Sequence, residues 1–250
     1  LSDAFGIKAA FVAVEAVALL VTILLLVSVP RSGSTDVSSK VRDQLVILKD
    51  RRIILVLVMK AFGMAATYVF YVYVTPILED SVGLSVWMVS LVLFFYGGAT
   101  IVSNLGSGSL AQRYGLGKLP IMFALQAVVL ALLGLSLVSG NTLLCIINVV
   151  LTGVFIYHMN APLQSYLLQV SAKDYPRALT LASAVMPTSS DVGIATGSFL
   201  GGVVATNLGF VWSGPIGAIL AVVPVIAAFM ILQPESRMGG SLRSRLRYRK

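Results

Sequence analysis

Apolar residues in this chain come in long blocks rather than in alternation. Seven blocks, bounded by charged or turn-forming residues, cover Ala9–Val29, Ile53–Leu78, Leu84–Leu105, Leu119–Val138, Thr142–Leu168, Leu179–Ala205 and Val211–Leu232. Each approaches or exceeds the ~20 residues that carry an α-helix across a bilayer. The pattern predicts an all-α polytopic membrane helical bundle of about seven transmembrane helices, the longer ones tilted or extended beyond the hydrocarbon.

Composition agrees, with 58% hydrophobic and 11% charged residues among 250. Soluble chains carry about 25% charged residues. A mean hydropathy of +0.94 leaves too much apolar surface for one water-bounded core. The net charge of +8 would by itself suggest a nucleic-acid surface, so the placement of the basic residues decides. Sixteen of the eighteen lie on alternate sides of successive blocks. Arg31, Lys40, Arg42, Lys49, Arg51 and Arg52 follow the first, Arg113 and Lys118 the third, and Lys173 and Arg177 the fifth; the others, from Arg237 to Lys250, form the tail. The positive-inside rule then predicts an outside N-terminus, a cytoplasmic tail and an integral protein of the plasma (inner) membrane, and it explains the charge without nucleic acid. The tail RSRLRYRK suits anionic lipid headgroups at about 1 kcal/mol per basic residue. One cysteine, Cys145, and one histidine, His158, exclude a disulfide framework and a Cys/His metal cluster within the chain, and no cofactor is expected.

Residues 31–52 differ from their surroundings. They open as a flexible RSGSTDVSS stretch and continue as KVRDQLVILKD, where Val41, Leu45 and Leu48 fall at helical spacing among charges. The expectation is a cytoplasmic connector ending in an interfacial helix. It sets residues 1–30 apart from a six-helix bundle over 53–233, with a basic tail over 234–250. Leu1 is not a methionine and no signal peptide is visible, so a longer parent chain is expected.

Polar residues are shared unevenly among the six blocks from 53 to 233. The fourth and seventh blocks carry no ionisable residue. The second, third, fifth and sixth hold Lys60, Asn104, His158, Asn160, Gln164 and Asp191, with Tyr68, Tyr71 and Tyr73 and the run Thr188, Ser189 and Ser190. Polar side chains at membrane depth face a bundle interior or a wet cavity. The third helix of each triplet is therefore expected at the periphery. Because three is odd, the second triplet enters the membrane from the opposite side, and inverted three-helix repeats are a signature of secondary transporters.

At this point the residues resemble a known family. GSLAQRYGLGK, residues 108–118, resembles the loop motif G-x-L-A-D-R-x-G-R-K of the major facilitator superfamily, matching at Gly108, Leu110, Ala111, Arg113, Gly115 and Lys118. Gln112 stands where the family has Asp, and Gly117 at a position that is often basic. Pro162–Gln164 as P-L-Q and the G-x-x-x-G-x-x-x-G run at Gly193, Gly197 and Gly201 resemble the tenth and eleventh helices of the drug/proton antiporter and arabinose-efflux-permease-like branch. The resemblance implies that residues 1–30 are the sixth helix, 31–52 the central loop and 53–233 helices seven to twelve. It further implies a carrier moving small organic molecules such as drugs, sugars or metabolites, with a missing N-terminal half upstream, and no enzyme. In the loop motif, glycines permit a tight turn and opposite charges hold helix ends together in one state of the carrier. Gly193, Gly197 and Gly201 share one face and suit close helix packing.

Proton and substrate pathway candidates follow from depth. Asp191 lies roughly 21 Å along its helix from Arg177, near mid-membrane, where a carboxylate must be protonated, paired or wetted. Two readings stand: a proton-coupling group, or a hydrogen-bonding stand-in for the family's frequent Asn. Lys60 lies roughly 12 Å from the inner surface, and either snorkels to it or faces the cavity. His158 is a proton relay or a structural group beside Asn160 and Gln164. Tyr71, with Tyr68, lines a cavity or joins the outer aromatic belt. Glu15 and Lys8 suit an interfacial ion pair. The alternative class, a seven-helix membrane receptor, fits the count but not the long connector or the inverted triplets.

Overall fold

The computed structural model describes residues 2–28 and 44–247, with side chains for 11, 12, 14–28 and 44–233. Every regular element among these is helical. By internal contacts the chain forms two units, Leu1–Ser38 and Ser39–Lys250.

The first unit is helix α1, Ser2–Ser28. Among its described large apolar side chains, Phe11, Leu19, Leu20, Leu24 and Leu26 are more than half exposed, as a lipid-facing helix requires. The Lys8 side chain, and with it the expected pair to Glu15, lies outside the described residues, as do residues 29–43 of the connector with Val41 and the tail side chains beyond 233.

The second unit contains α2 (Arg51–Tyr71), α3 (Val86–Tyr114), α4 (Leu119–Ser139), α5 (Thr142–Phe155), α6 (Asn160–Asp174), α7 (Leu179–Asn207) and α8 (Ser213–Arg247). Local chemistry sets the boundaries. The Asp50 carboxylate caps α2 by accepting the Arg52 backbone N–H at 2.8 Å. Gly140 closes α4 at φ 65°, a left-handed position that glycine takes without steric cost. Next to it, the Asn141 side chain caps α5 by accepting from Leu143 and Leu144.

At its described end the connector runs from a helical Gln44 through a five-residue 3-10 helix, Leu45–Lys49, whose buried residue is Ile47 while Leu45 and Leu48 are exposed; the rest of the expected interfacial helix lies outside the described residues. Two findings differ from the expectations. The fifth block is two helices, α5 and α6, not one. Helix α8 runs on to Arg247, so the expected tail begins as its continuation. Among the described residues, five helical segments can cross a membrane by length and composition: Arg51–Tyr71, Val86–Tyr114, Leu119–Ser139, Thr142–Asp174 and Phe210–Gln233. Helix α7 has the length, at 29 residues, but its Thr188–Asp191 run and its glycines lower its hydropathy.

Helix α2 is the hub. It packs against α7 on one side and α8 on another, while α3 packs on α5 and α6. One core, around Ile53, Met59, Phe123, Met159 and Leu167, includes Ile47 and Leu116; a second, around Phe70, Ile77, Leu84 and Val92, forms where α2 ends and α3 begins. Ile47, just before α2, and Leu116, between α3 and α4, thus belong to the same core. Large apolar side chains such as Trp87, Phe94, Phe199 and Ile219 stay mostly exposed on the outside, as a lipid-facing surface demands.

The α2–α7 contact is a glycine seam. Cβ atoms added at Gly193, Gly197 and Gly201 would run into the carbonyl oxygens of Ala61, Ala65 and Val69 in turn. One turn earlier, the Ser189 hydroxyl donates to the Leu57 carbonyl at 2.7 Å. Residue numbers rise together by four on both helices, so α2 and α7 run parallel, backbone against backbone, over four successive contacts.

Gly197→Val should therefore destabilise the protein by about 1–3 kcal/mol or more, because its Cβ would lie 2.5 Å from a backbone oxygen that cannot yield. Gly97→Ala, whose Cβ meets open space, should leave stability near that of the unmodified protein. Thermal denaturation of the two purified variants in detergent checks the contrast, and equal melting points would contradict the seam.

Candidate functional site

The break between α5 and α6 organises the site. Pro162 has no N–H for the His158 carbonyl, and its ring crowds that position, which favours a kink or a break just before it. The donors released near the break find side chains on α3: Ser103 Oγ accepts the Tyr157 N–H at 3.0 Å and Ser107 Oγ accepts the Ala161 N–H at 2.7 Å. Inside a membrane such substitution of partners is what makes a broken helix tolerable. Sequence reading missed the break, although Pro162 was its visible signal.

Restarting at Asn160 turns that side chain toward α2 and α3. The Lys60 ammonium donates to Asn160 Oδ1, and Asn160 Nδ2 donates to Asn104 Oδ1 at 3.2 Å. Lys60 is buried, at 6% exposure. These groups line a cavity of about 560 Å³ between α2, α3, α6 and α7, which also takes in Gln164, Ser190, Asp191 and Gly108. Lys60, Asn160, Gln164 and Asp191 thus share one cavity, with Asn104 added from α3. Lys60 spends its charge there and not at the bundle's end. Asp191 is exposed to the cavity, and no ion pair joins it to Lys60.

The other candidates lie elsewhere. His158 is buried beside the break, its Nδ1 against the Phe155 carbonyl and its ring edge-on to Phe123 at 4.9 Å. It lines a smaller groove with Ser103 and Ser107 on the other face of α3. Tyr71 stacks on Tyr96 at 4.9 Å and meets Tyr68 edge-on at 5.4 Å, away from the cavity lining. In the loop motif, Gly108 reaches the cavity, Leu110 packs on the core, Gly115 turns at φ 53° and Lys118 sits 5.6 Å over the Tyr114 ring. Arg113 is exposed and makes no ion pair among the described residues, as follows from Gln112 replacing a carboxylate. The helix-tying charges are instead Asp50, Arg52 and Asp174. Arg52 bridges the other two at 2.7 and 2.6 Å, and the Tyr175 hydroxyl donates to Asp50 at 3.1 Å, joining the start of α2 to the end of α6.

The fourth block, expected at the periphery, is away from the cavity but is not simply lipid-facing. Gln126 is buried and donates to the Gly63 carbonyl and to Thr67 Oγ1, both at 2.9 Å, tying α4 to α2. It is a neutral residue in an apolar stretch, so a search for ionisable groups passes it over.

A membrane helical bundle with a polar cavity beside a broken helix is the architecture of a secondary carrier. The family model described as Major Facilitator Superfamily matches residues 1–180, and the chain belongs to that superfamily. It is 31% identical over 223 residues to the uncharacterized MFS-type transporter YtbD of Bacillus subtilis, covering 89% of this chain and 56% of that one. It is 25% identical over 239 residues to the inner membrane transport protein YdhP of Escherichia coli K12, covering 94% and 60%. The chain thus spans a little more than half the length of these relatives. Membership makes it an integral membrane protein and leaves the receptor alternative without support.

The Asp50 cluster carries a pH signature. The Arg52 side chain, hydrogen-bonded to the Asp50 carboxylate, holds that carboxyl below its ordinary 3.8. A lowered folded-state value gives stability that is present above the unfolded value and is lost as pH falls through the folded one. Asp50→Asn keeps a capping side chain but drops the charge. Melting temperature should therefore fall more gently below about pH 4 in this variant than in the unmodified protein. Parallel acid limbs in the two melting curves would contradict the cluster.

Proposed function

We propose that the full-length protein is a proton-coupled exporter of small organic molecules that works by alternating access, with Asp191 as the proton-carrying group. The observation that carries this reading is the cavity itself, where a carboxylate, an ammonium and several amides converge beside a broken helix in an apolar bundle. Resemblance to the drug/proton antiporter and arabinose-efflux-permease-like branch supports the export direction. In this reading residues 53–233 are the C-terminal six-helix half, 31–52 the connector and 1–30 the last helix of an N-terminal half that completes the cavity. The basic loops and tail face the cytoplasm of an inner membrane, in line with the positive-inside rule.

Alternating access would expose Asp191 to each side of the membrane in turn. Asp191→Asn in the full-length carrier should reduce proton-driven flux in liposomes to the level of empty vesicles while leaving the protein folded, since Asn retains the hydrogen-bonding shape. Flux that persists unchanged with its pH dependence intact would remove Asp191 from the mechanism.

A further inference from the structure

Two unpaired charges define what the cavity can hold. One N–H of the Lys60 ammonium is taken by Asn160 Oδ1, and no carboxylate lies within ion-pairing distance of it among the described residues. An ammonium has three N–H donors, so a single neutral amide leaves most of its hydrogen-bonding capacity and all of its charge uncompensated. Asp191, in the same cavity, likewise makes no ion pair. The other polar lining groups, Asn104, Gln164 and Ser190, are neutral.

A cationic ligand drawn to Asp191 would meet the Lys60 charge, and an anionic ligand drawn to Lys60 would meet Asp191. Like charges brought together in a cavity with low-dielectric walls repel more strongly than in water. A molecule bearing both charges satisfies both groups, because each of its own charges loses water but gains an opposite partner. We infer that the cavity between α2, α3, α6 and α7 binds a small zwitterion, its carboxylate on Lys60 and its ammonium on Asp191. The inference rests on this cavity being the substrate site of the proposed carrier.

The test is equilibrium binding to the detergent-purified full-length protein, read by thermal stabilisation and calorimetry, with two matched ligand sets. One set is L-leucine, isocaproate and isoamylamine; the other is para-(aminomethyl)benzoate, para-toluate and para-methylbenzylamine. In at least one set the zwitterion should bind about tenfold or more tightly than either singly charged analogue, the loss expected for one charge-assisted contact. Lys60→Gln should bring the zwitterion down to the amine, Lys60→Arg should restore part of the preference, and Asp191→Asn should bring it down to the carboxylate. A singly charged analogue binding as well as its zwitterion in both sets, or no stabilisation by either zwitterion, overturns the inference without relying on any variant. Binding needs no flux. Zwitterions that bind with this pattern but are not moved by a proton gradient uphold the ligand class and overturn the transport reading, whereas proton-driven flux with no zwitterion preference does the reverse.

Discussion

The parallel contact between α2 and α7 is the constraint on which the rest of the bundle depends. In a membrane, helices gain little by burying apolar side chains against each other, because lipid tails are equally apolar; close van der Waals approach must hold them instead. Gly193, Gly197 and Gly201 allow the α7 backbone to lie against the carbonyl oxygens of Ala61, Ala65 and Val69. The same device recurs on the next side of α2, where Gly217 of α8 lies over the Ala66 carbonyl. These approaches make α2 the most buried of the spans. They also set the register that places Lys60, next to Ala61, in one cavity with Asp191, two residues before Gly193.

Around that hub, polar groups act as connectors wherever the backbone departs from an unbroken helix. Ser103 and Ser107 accept N–H groups released at the α5–α6 break, and Gln126 satisfies the Gly63 carbonyl and Thr67 from the far side of α2. Each bond is modest, yet leaving a backbone donor unpaired in a dry interior is expensive. The break in turn is what lets Asn160 stand between Lys60 and Asn104. Structural polarity and cavity polarity are thus continuous: the hydroxyls that make the break tolerable sit on the same helix as Asn104.

The charged cluster of Asp50, Arg52, Asp174 and Tyr175 does at the end of α2 what opposite charges do in the family's loop motif, which in this chain has lost its acid at Gln112. The loop from Gly108 to Lys118 keeps its turn geometry and a cation over an aromatic ring, but its helix-tying role has no ionic partner among the described residues. Ion pairing between helix ends has moved to α2 and α6, the two helices that also carry Lys60 and Asn160.

Hydrophobic block length marked out the helices, and the alternating placement of basic residues predicts that their loops share one side, because lipid imposes both requirements on the chain residue by residue. The polar positions of the triplets marked α2, α3, α6 and α7 as the helices around a cavity, since a polar group at that depth has few other places to go. The 3.6-residue period also showed that three glycines share a face. What faced them, however, was decided only by packing: nothing local in Ala61, Ala65 or Val69 marks them as partners from 132 residues away. Tertiary structure likewise separated His158 and Tyr71 from the cavity, buried Gln126 against α2, moved the ion pairs from the loop motif to Asp50, Arg52 and Asp174, and turned Lys60 toward Asn160. Each of these depends on which side chain lies across the gap from another helix, a relation that hydropathy and spacing along one chain do not encode.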